Sequence, residues 1–376
     1  MSVAFELSSG LLAAMLPLVL HFHTARFVTT LRGTSLSLPL AVLILAGCAT
    51  TPPPSGTSVP PPAASAVPPV PPPVLAPNGP RPMKIALALG GGAARGFAHV
   101  GIIKGLESRG IHPDIVVGTS VGSMVAALYA AGHDGAQLER IALKIDESKL
   151  EDWGLPARGL FKGVALQDFV NREVDQRPME QLPRKLAIVA TDLGTGEMMI
   201  FERGNVGTAV RASSCVPGVY QPVEINGHEY VDGGLVSPVP VLAARRLGAD
   251  VVIAVDISRG PTAQSTDGAF DILMQSFTIM GQVIARAELD TADVVLHPSL
   301  RKVGSIDFAS REASIQEGER AVAEKAGEIT AAIDRVRQKL AAASVPVSGA
   351  SPAAPSTGAA GTSAAPTTIS TVGGNP

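Results

Sequence analysis

The chain has few cysteines, few aromatic residues and no excess of positive charge. Its two cysteines, Cys48 and Cys215, lie in unlike contexts and neither has the spacing of metal ligands, so we expect neither a disulfide nor a metal site. Aromatic residues make up 4% of the chain, and no basic run is interleaved with them. With 30 Lys and Arg against 33 Asp and Glu, charge gives no reason to expect a nucleic-acid partner.

The two ends of the chain lack the pattern of a folded domain. Residues 49–82 are rich in proline and predict an extended tether. Residues 342–376 are dominated by Ala, Ser, Thr, Pro and Gly and predict a disordered tail. What lies between is long enough for one domain. We therefore assign residues 83–308 to an α/β domain and residues 309–341 to a C-terminal helix that packs on it.

Residues 1–48 predict a secretory signal that ends in a lipidated cysteine. Arg32 precedes the apolar run 36–45, and small residues follow it. The sequence Leu45-Ala46-Gly47-Cys48 resembles the bacterial lipobox, which implies lipidation of Cys48 and anchoring at the cell envelope. Ala49 in place of an acidic residue implies the outer rather than the inner membrane. The alternatives are a single-pass anchor or a plain signal peptide.

A second apolar stretch, Leu11 to Phe22, precedes this signal. Signal peptides do not usually need two such segments. We therefore expect translation to begin near Val28.

The sequence Gly118-Thr119-Ser120-Val121-Gly122 joins an apolar strand-like run to a helix-like run. Serine between two glycines at such a junction is the pattern of a strained nucleophile turn. Gly118 and Gly122 would allow close backbone approach, and the helix N-terminus would favour developing negative charge. The alternative is an ordinary strand-to-helix connection with Ser120 as N-cap.

An earlier strand, Lys84 to Leu89, leads into Gly90-Gly91-Gly92-Ala93-Ala94-Arg95-Gly96 and then a helix-like run. A phosphate-binding P-loop would need Lys and then Ser or Thr where Gly96 and Phe97 stand. A dinucleotide fingerprint fails on its glycine spacing and lacks the acidic residue after the next strand. An oxyanion loop remains, because glycines leave backbone N–H groups open to a substrate oxygen.

Four segments together resemble the bacterial patatin-like phospholipase family. They are residues 86–101, the serine turn 118–123, Arg211 to Gly218, and Tyr230-Val231-Asp232-Gly233-Gly234. The resemblance spans roughly Lys84 to Asp256 and implies a patatin-like, three-layer fold, with a mostly parallel sheet and helices on both faces. The order of strands and helices along this region favours the same α/β class. Ala93 departs from the family's commoner loop, which has a further glycine there.

The resemblance implies a serine acyl hydrolase of the phospholipase A, lysophospholipase or esterase type, without a cofactor. Ser120 would be the nucleophile and Asp232, in the motif with Gly233 and Gly234, its base. Backbone N–H groups around Gly91, Gly92 and Ala93 would bind the oxyanion, and Arg95 and Gly96 would support their loop. The substrate would be a phospholipid or another acyl ester, and the oligomeric state stays open.

Two other functions remain open. His297 follows a predicted strand after Asp232, so Ser120, Asp232 and His297 satisfy the chain order of an α/β-hydrolase triad. A catalytically weak binding or regulatory module of the envelope is the non-enzymatic alternative.

Two apolar stripes near the C-terminus have helical spacing. In residues 268–286, Phe270, Met274 and Phe277 belong to a stripe that we expect to face the core, although a lid is the alternative. The second stripe, from Ile315 to Leu340, predicts a single final helix.

Overall fold

The computed structural model describes residues 81–150, 152–153, 158–258, 260, 266–300, 303–304 and 307–343. The predicted signal, Cys48, most of the tether and nearly all of the tail lie outside the described residues. The predictions made for them stay predictions.

Ten strands lie in the described ranges. They are β1 (Ile85–Leu89), β2 (Ile115–Thr119), β3 (Gly159–Phe161), β4 (Lys185–Asp192), β5 (Met198–Phe201), β6 (Gly218–Tyr220), β7 (Val223–Ile225), β8 (His228–Asp232), β9 (Val251–Val255) and β10 (Val294–Leu296). The buried strands β1, β2, β4 and β9 are rich in Val, Ile, Leu and Ala, as strands covered on both faces are. The predicted strand Lys84 to Leu89 is confirmed as β1.

Eight of these strands form one mostly parallel sheet. Its order is β10-β9-β1-β2-β4-β8-β7, and β5 pairs with β4 outside that path. The strands from β10 to β4 run parallel, whereas β5 and β8 pair antiparallel with β4. Because parallel strands end at the same edge, the loops after β1, β2 and β9 share that edge. Strands β3 and β6 form a separate parallel pair.

Nine α-helices lie in the same ranges. They are α1 (Phe97–Glu107), α2 (Val121–Ala130), α3 (Gly135–Lys144), α4 (Val164–Glu173), α5 (Val206–Ser214), α6 (Val241–Arg246), α7 (Ala269–Leu289), α8 (Arg311–Glu324) and α9 (Ala326–Ala343). Helix α3 begins with a capping box, in which the Asp134 side chain accepts a hydrogen bond from the Gln137 N–H and the Asp134 N–H donates one to Oε1 of Gln137.

The helices cover both faces of the sheet, which confirms the predicted fold class. Along β1, Leu87 and Leu89 pack into one apolar cluster, which includes residues of α1, α2 and α8. Ala86 and Ala88 point the other way, into a cluster that includes residues of α6 and Ala285 of α7. The alternation follows from the two-residue period of a strand.

The sequence analysis did not predict α3 and α4, which lie between residues 131 and 184. Helix α4 mixes charged and apolar residues closely, which weakened its helical signal. The single final helix is in fact α8 and α9, which are separated by Lys325. Both helices bury part of the predicted stripe, including Ile315, Val322 and Ile329.

The prediction that the stripe on α7 faces the core was also wrong. The buried residues of this 21-residue helix are Ala285 and Glu288. Phe270 and Met280, which belong to the predicted stripe, are 51% and 54% exposed, and Val283 beside it is 64% exposed. A helical period specifies an apolar face but not what covers it. In the part of the chain that the structure describes, no helix is both long and apolar enough to cross a membrane.

Candidate active site

Ser120 occupies a strained turn between β2 and α2. Its φ of 54° and ψ of −127° lie outside the regions that non-glycine residues usually adopt. The two flanking glycines are needed for close packing. A Cβ on Gly122 would lie 2.2 Å from the Leu89 carbonyl oxygen, and one on Gly118 would lie 2.4 Å from the Gly122 oxygen. The turn therefore fits only where both positions lack a side chain.

The Ser120 hydroxyl donates a hydrogen bond to Oδ2 of Asp232 over 2.7 Å. Ser120 stands at the N-cap position of α2, but its hydroxyl makes no capping bond to that helix. These two residues are 112 positions apart in the chain and meet because β8 lies beside β4, the strand next to β2.

Asp232 is a buried carboxyl group, 7% exposed, at the end of β8. Its other oxygen, Oδ1, accepts a hydrogen bond of 2.7 Å from the Gly234 N–H. Burial raises the pKa of Asp232 to about 6, although the bonds from Ser120 and Gly234 oppose that rise. Gly233 lets the turn close against the sheet, because a Cβ there would lie 2.3 Å from the Val189 oxygen. The result is a carboxylate with raised proton affinity against a serine hydroxyl.

The glycine loop lies beside Ser120, as the topology predicts. A Cβ on Gly91 would lie 3.2 Å from the Ser120 Cβ. However, the Gly91 N–H donates to the Pro238 carbonyl over 3.0 Å, so Gly91 was wrongly predicted as an oxyanion donor. Gly92 and Ala93 donate their N–H groups to no acceptor among the described residues. The sequence does not distinguish Gly91 from Gly92 and Ala93, because the Pro238 carbonyl that binds the Gly91 N–H lies almost 150 residues away.

Arg95 and Gly96 hold the glycine loop in shape. Both the backbone N–H and the Nε–H of Arg95 donate to the Gly92 carbonyl, over 3.3 and 3.2 Å. A Cβ on Gly96 would lie 2.3 Å from a methyl group of Val121, so the loop packs directly on the residue after Ser120. Ala93 has φ of 52°, a left-handed conformation that favours glycine.

Two further hydroxyl groups, which sequence reasoning missed, fix the serine turn. The buried Ser213 hydroxyl accepts a hydrogen bond of 2.8 Å from the Ser120 N–H and donates one of 2.6 Å to Val189. The Thr119 hydroxyl donates to the Ser237 carbonyl over 2.8 Å. Ser213 lies in a segment that carries the family resemblance, but nothing in its spacing marks this contact.

Glu288 of α7 is a buried acid, 4% exposed, behind this network. The Ser237 hydroxyl lies 2.9 and 2.8 Å from its two carboxyl oxygens. Burial raises the pKa of Glu288 to about 7, although the Ser237 hydroxyl opposes the rise. The sequence hides this residue, because Arg286 and Asp290 flank it as they would on a solvated helix face.

His297, the candidate third member of a triad, pairs with a different acid. Its Nδ1 lies 3.4 Å from Oδ2 of Asp256, which follows β9. That bond raises the pKa of His297, while burial opposes it. Asp232 accepts from Ser120 and Gly234, and no histidine among the described residues bonds to it.

His99 and Cys215 have structural rather than catalytic positions. His99 is buried with Nε2 2.8 Å from the Gly90 carbonyl, and burial lowers its pKa to about 4. Cys215 is buried as well, which raises the pKa of its thiol to about 12. Both side chains are packed in the interior of the domain.

Part of this chain is similar to proteins of a known family. Residues 87–245 match the family model described as Patatin-like phospholipase. An NTE family protein of Mycobacterium tuberculosis H37Rv is 35% identical over 186 residues, which are 49% of this chain and 52% of that protein. Patatin-like phospholipase domain-containing protein 6 of Homo sapiens is 36% identical over 193 residues, 49% of this chain and 14% of that protein.

The chain thus spans about half the length of the mycobacterial relative and a small part of the human one. Among solved structures, VipD from Legionella pneumophila aligns with a TM-score of 0.44 and 14% identity, over 69% of this chain and 67% of that one.

Proposed function

We propose that this protein is a serine acyl hydrolase that acts on lipid esters through a dyad of Ser120 and Asp232. The observation that carries the proposal is the 2.7 Å hydrogen bond from a strained serine hydroxyl to a buried carboxylate of raised pKa. A base whose pKa lies near 6 is a better proton acceptor than an ordinary aspartate and is still ionised at pH 7.

In the proposed reaction, the Ser120 oxygen attacks the ester carbonyl carbon while its proton moves to Oδ2 of Asp232. The carbonyl oxygen becomes an oxyanion, which the N–H groups of Gly92 and Ala93 stabilise. The intermediate collapses, the ester C–O bond breaks, and Asp232 returns the proton to the leaving alkoxide. A water then attacks the acyl carbon and loses its proton to Asp232. The bond between the acyl carbon and the Ser120 oxygen breaks, Asp232 returns the proton to that oxygen, and the acid product leaves.

A lipid rather than a small soluble ester is supported by the surface of α7. The helix exposes apolar side chains, and its Gly281 approaches the carbonyl of Gly234 beside Asp232: a Cβ at Gly281 would lie 3.9 Å from that oxygen. Exposed apolar patches mark surfaces that contact proteins, membranes or apolar ligands.

A fluorophosphonate probe tests the nucleophile. We expect it to label wild-type protein on the peptide that contains Ser120, and to leave Ser120→Ala unlabelled. Ser276→Ala is the matched control, because Ser276 is exposed on α7 and should not affect labelling. Absence of labelling in folded wild-type protein would favour the binding module instead. Assays with matched phospholipid, lysophospholipid and p-nitrophenyl esters then define the substrate.

We also propose that Cys48 is lipidated and anchors the domain to the bacterial outer membrane through the proline-rich tether. The sequence Leu45-Ala46-Gly47-Cys48 supports this. Mass spectrometry of the mature N-terminus tests it, since we expect an acylated Cys48 as the first residue. An unmodified N-terminus or one further along the chain would contradict the proposal.

A further inference from the structure

An apolar cavity opens beside the proposed active site, on the face of the sheet that α1 and α2 cover. Every residue that lines it is apolar. Its enclosed volume is about 80 Å³, and it continues into an open mouth.

The cavity has room for more than one water molecule, but no polar side chain lines it to bind one. A water inside a protein needs two to four polar partners, and cavities without them stay dry and bind apolar molecules. A void in an apolar core also costs stability. Both arguments indicate a space that an apolar ligand fills.

The cavity lies next to the reacting groups without including Ser120 or Asp232 in its lining. Ala93, one of the two remaining oxyanion donors, lines it, and so does Val121, which follows the nucleophile. From there it extends along one face of α2, past Val125 to Leu128. These positions have the spacing of a single helix face. An acyl group whose carbonyl oxygen rests on the Ala93 N–H would thus have its carbon chain at the cavity mouth.

We propose that this cavity binds the acyl chain of the substrate and sets its length, an inference that rests on the proposed function. Val121 and Leu128 are seven residues apart, which is roughly 10 Å along a helix. An extended chain advances about 1.2 Å per bond, so the cavity accommodates about eight bonds. The preferred substrate is therefore an ester of a medium-chain acid of about eight to ten carbons.

A series of p-nitrophenyl esters from acetate to palmitate tests the proposal with the full chain. Each buried methylene should raise kcat/KM about fourfold, until a plateau or decline beyond about ten carbons. A profile that is flat beyond butyrate would overturn it and leave the cavity as a packing defect.

Filling the cavity should shorten the preferred chain. Ala142 lines it from α3, and Ala142→Leu adds three carbons. We expect the ratio of kcat/KM for decanoate to that for butyrate to fall at least about tenfold. Ala142→Val is a milder second variant should the leucine not fold. Ala244→Leu, which adds the same atoms to α6 on the other face of the sheet, should leave the ratio unchanged. Equal ratios in all variants would contradict the proposal.

A binding measurement separates this inference from the proposed chemistry. Free decanoate should raise the melting temperature of wild type and of Ser120→Ala, but not of Ala142→Leu. If no variant hydrolyses esters and decanoate still stabilises Ser120→Ala, the cavity assignment holds and the dyad fails. If esters are hydrolysed and decanoate stabilises none of the proteins, the dyad holds and the cavity assignment fails.

Discussion

Two aspartates at the ends of strands in the same sheet have opposite proton affinities. Asp232, after β8, is buried with a serine hydroxyl and one N–H as partners, and its pKa is raised to about 6. Asp256, after β9, is also largely buried, which alone would raise its pKa. Hydrogen bonds from His297 and Ser258 outweigh this and lower the pKa of Asp256. Neighbours rather than residue type decide which aspartate can act as a base.

Replacing each aspartate with asparagine should therefore affect catalytic activity very differently. Asp232→Asn removes the proposed base, and we expect kcat/KM to fall by about 10²- to 10⁴-fold. Asp256→Asn, the matched control, should retain activity within about threefold, since Asp256 contacts neither Ser120 nor the free N–H groups. Ester hydrolysis by purified variants measures both. Equal losses would defeat the assignment of Asp232 as the base.

The same pair of variants should also diverge in stability. The raised pKa of Asp232 favours folding below pH 4, and this contribution is lost as pH rises through about 6. At pH 8 the buried carboxylate is thus unfavourable, and Asp232→Asn should stabilise the fold by on the order of 1 kcal/mol. The lowered pKa of Asp256 stabilises the fold above its unfolded pKa, so Asp256→Asn should lower the melting temperature at pH 8.

The pH dependence of activity should follow Asp232. The base must be ionised, so kcat/KM should be constant above about pH 7 and fall about tenfold per pH unit well below 6. Glu288, with a pKa near 7, is the competing titrating group. In Glu288→Gln the midpoint near 6 should persist. If the pH profile of kcat/KM loses this midpoint in Glu288→Gln, the group that controls activity is Glu288 and not Asp232.

His297→Ala tests the triad at the other end of the sheet. Because His297 pairs with Asp256, we expect less than about a threefold change in kcat/KM. A loss as large as that of Ser120→Ala would defeat the dyad. The raised pKa of His297 stabilises the fold fully below pH 6.5, and this is lost as pH rises through the folded value. Since the side chain is 59% exposed, the effect on stability should be below about 1 kcal/mol.

The smallest expected effect is that of replacing Ala93, in the glycine loop after β1. Ala93 adopts φ of 52°. Ala93→Gly removes the steric cost of a left-handed alanine but increases the flexibility of the unfolded chain. We expect a net gain in stability of about 0.5 kcal/mol, which thermal unfolding measures, and retained activity because the N–H remains. Gly92→Ala is the contrasting control, since its Cβ would lie 2.8 Å from Ile257, and it should destabilise the loop.

Strongly patterned elements could be predicted from the sequence, whereas contacts between distant elements could not. The buried strands β1, β4 and β9 and the helices α1 and α2 have clear apolar patterns. The loss of Gly91 as a donor depends on the Pro238 carbonyl, and the role of Ser213 depends on how α5 packs. Neither contact has a local signal, because each partner is more than 90 residues away.

The sequence by itself determined the α/β order, the serine turn and the two glycine-containing motifs. Each of these depends on local backbone demands that residue type reveals, such as the close approach at Gly122. Only the tertiary structure decided that His297 pairs with Asp256 rather than with Asp232, that α7 exposes its apolar stripe, and that a cavity follows α2. These features depend on which surfaces meet, and burial, which sets the pKa of Asp232, exists only after the whole sheet has assembled.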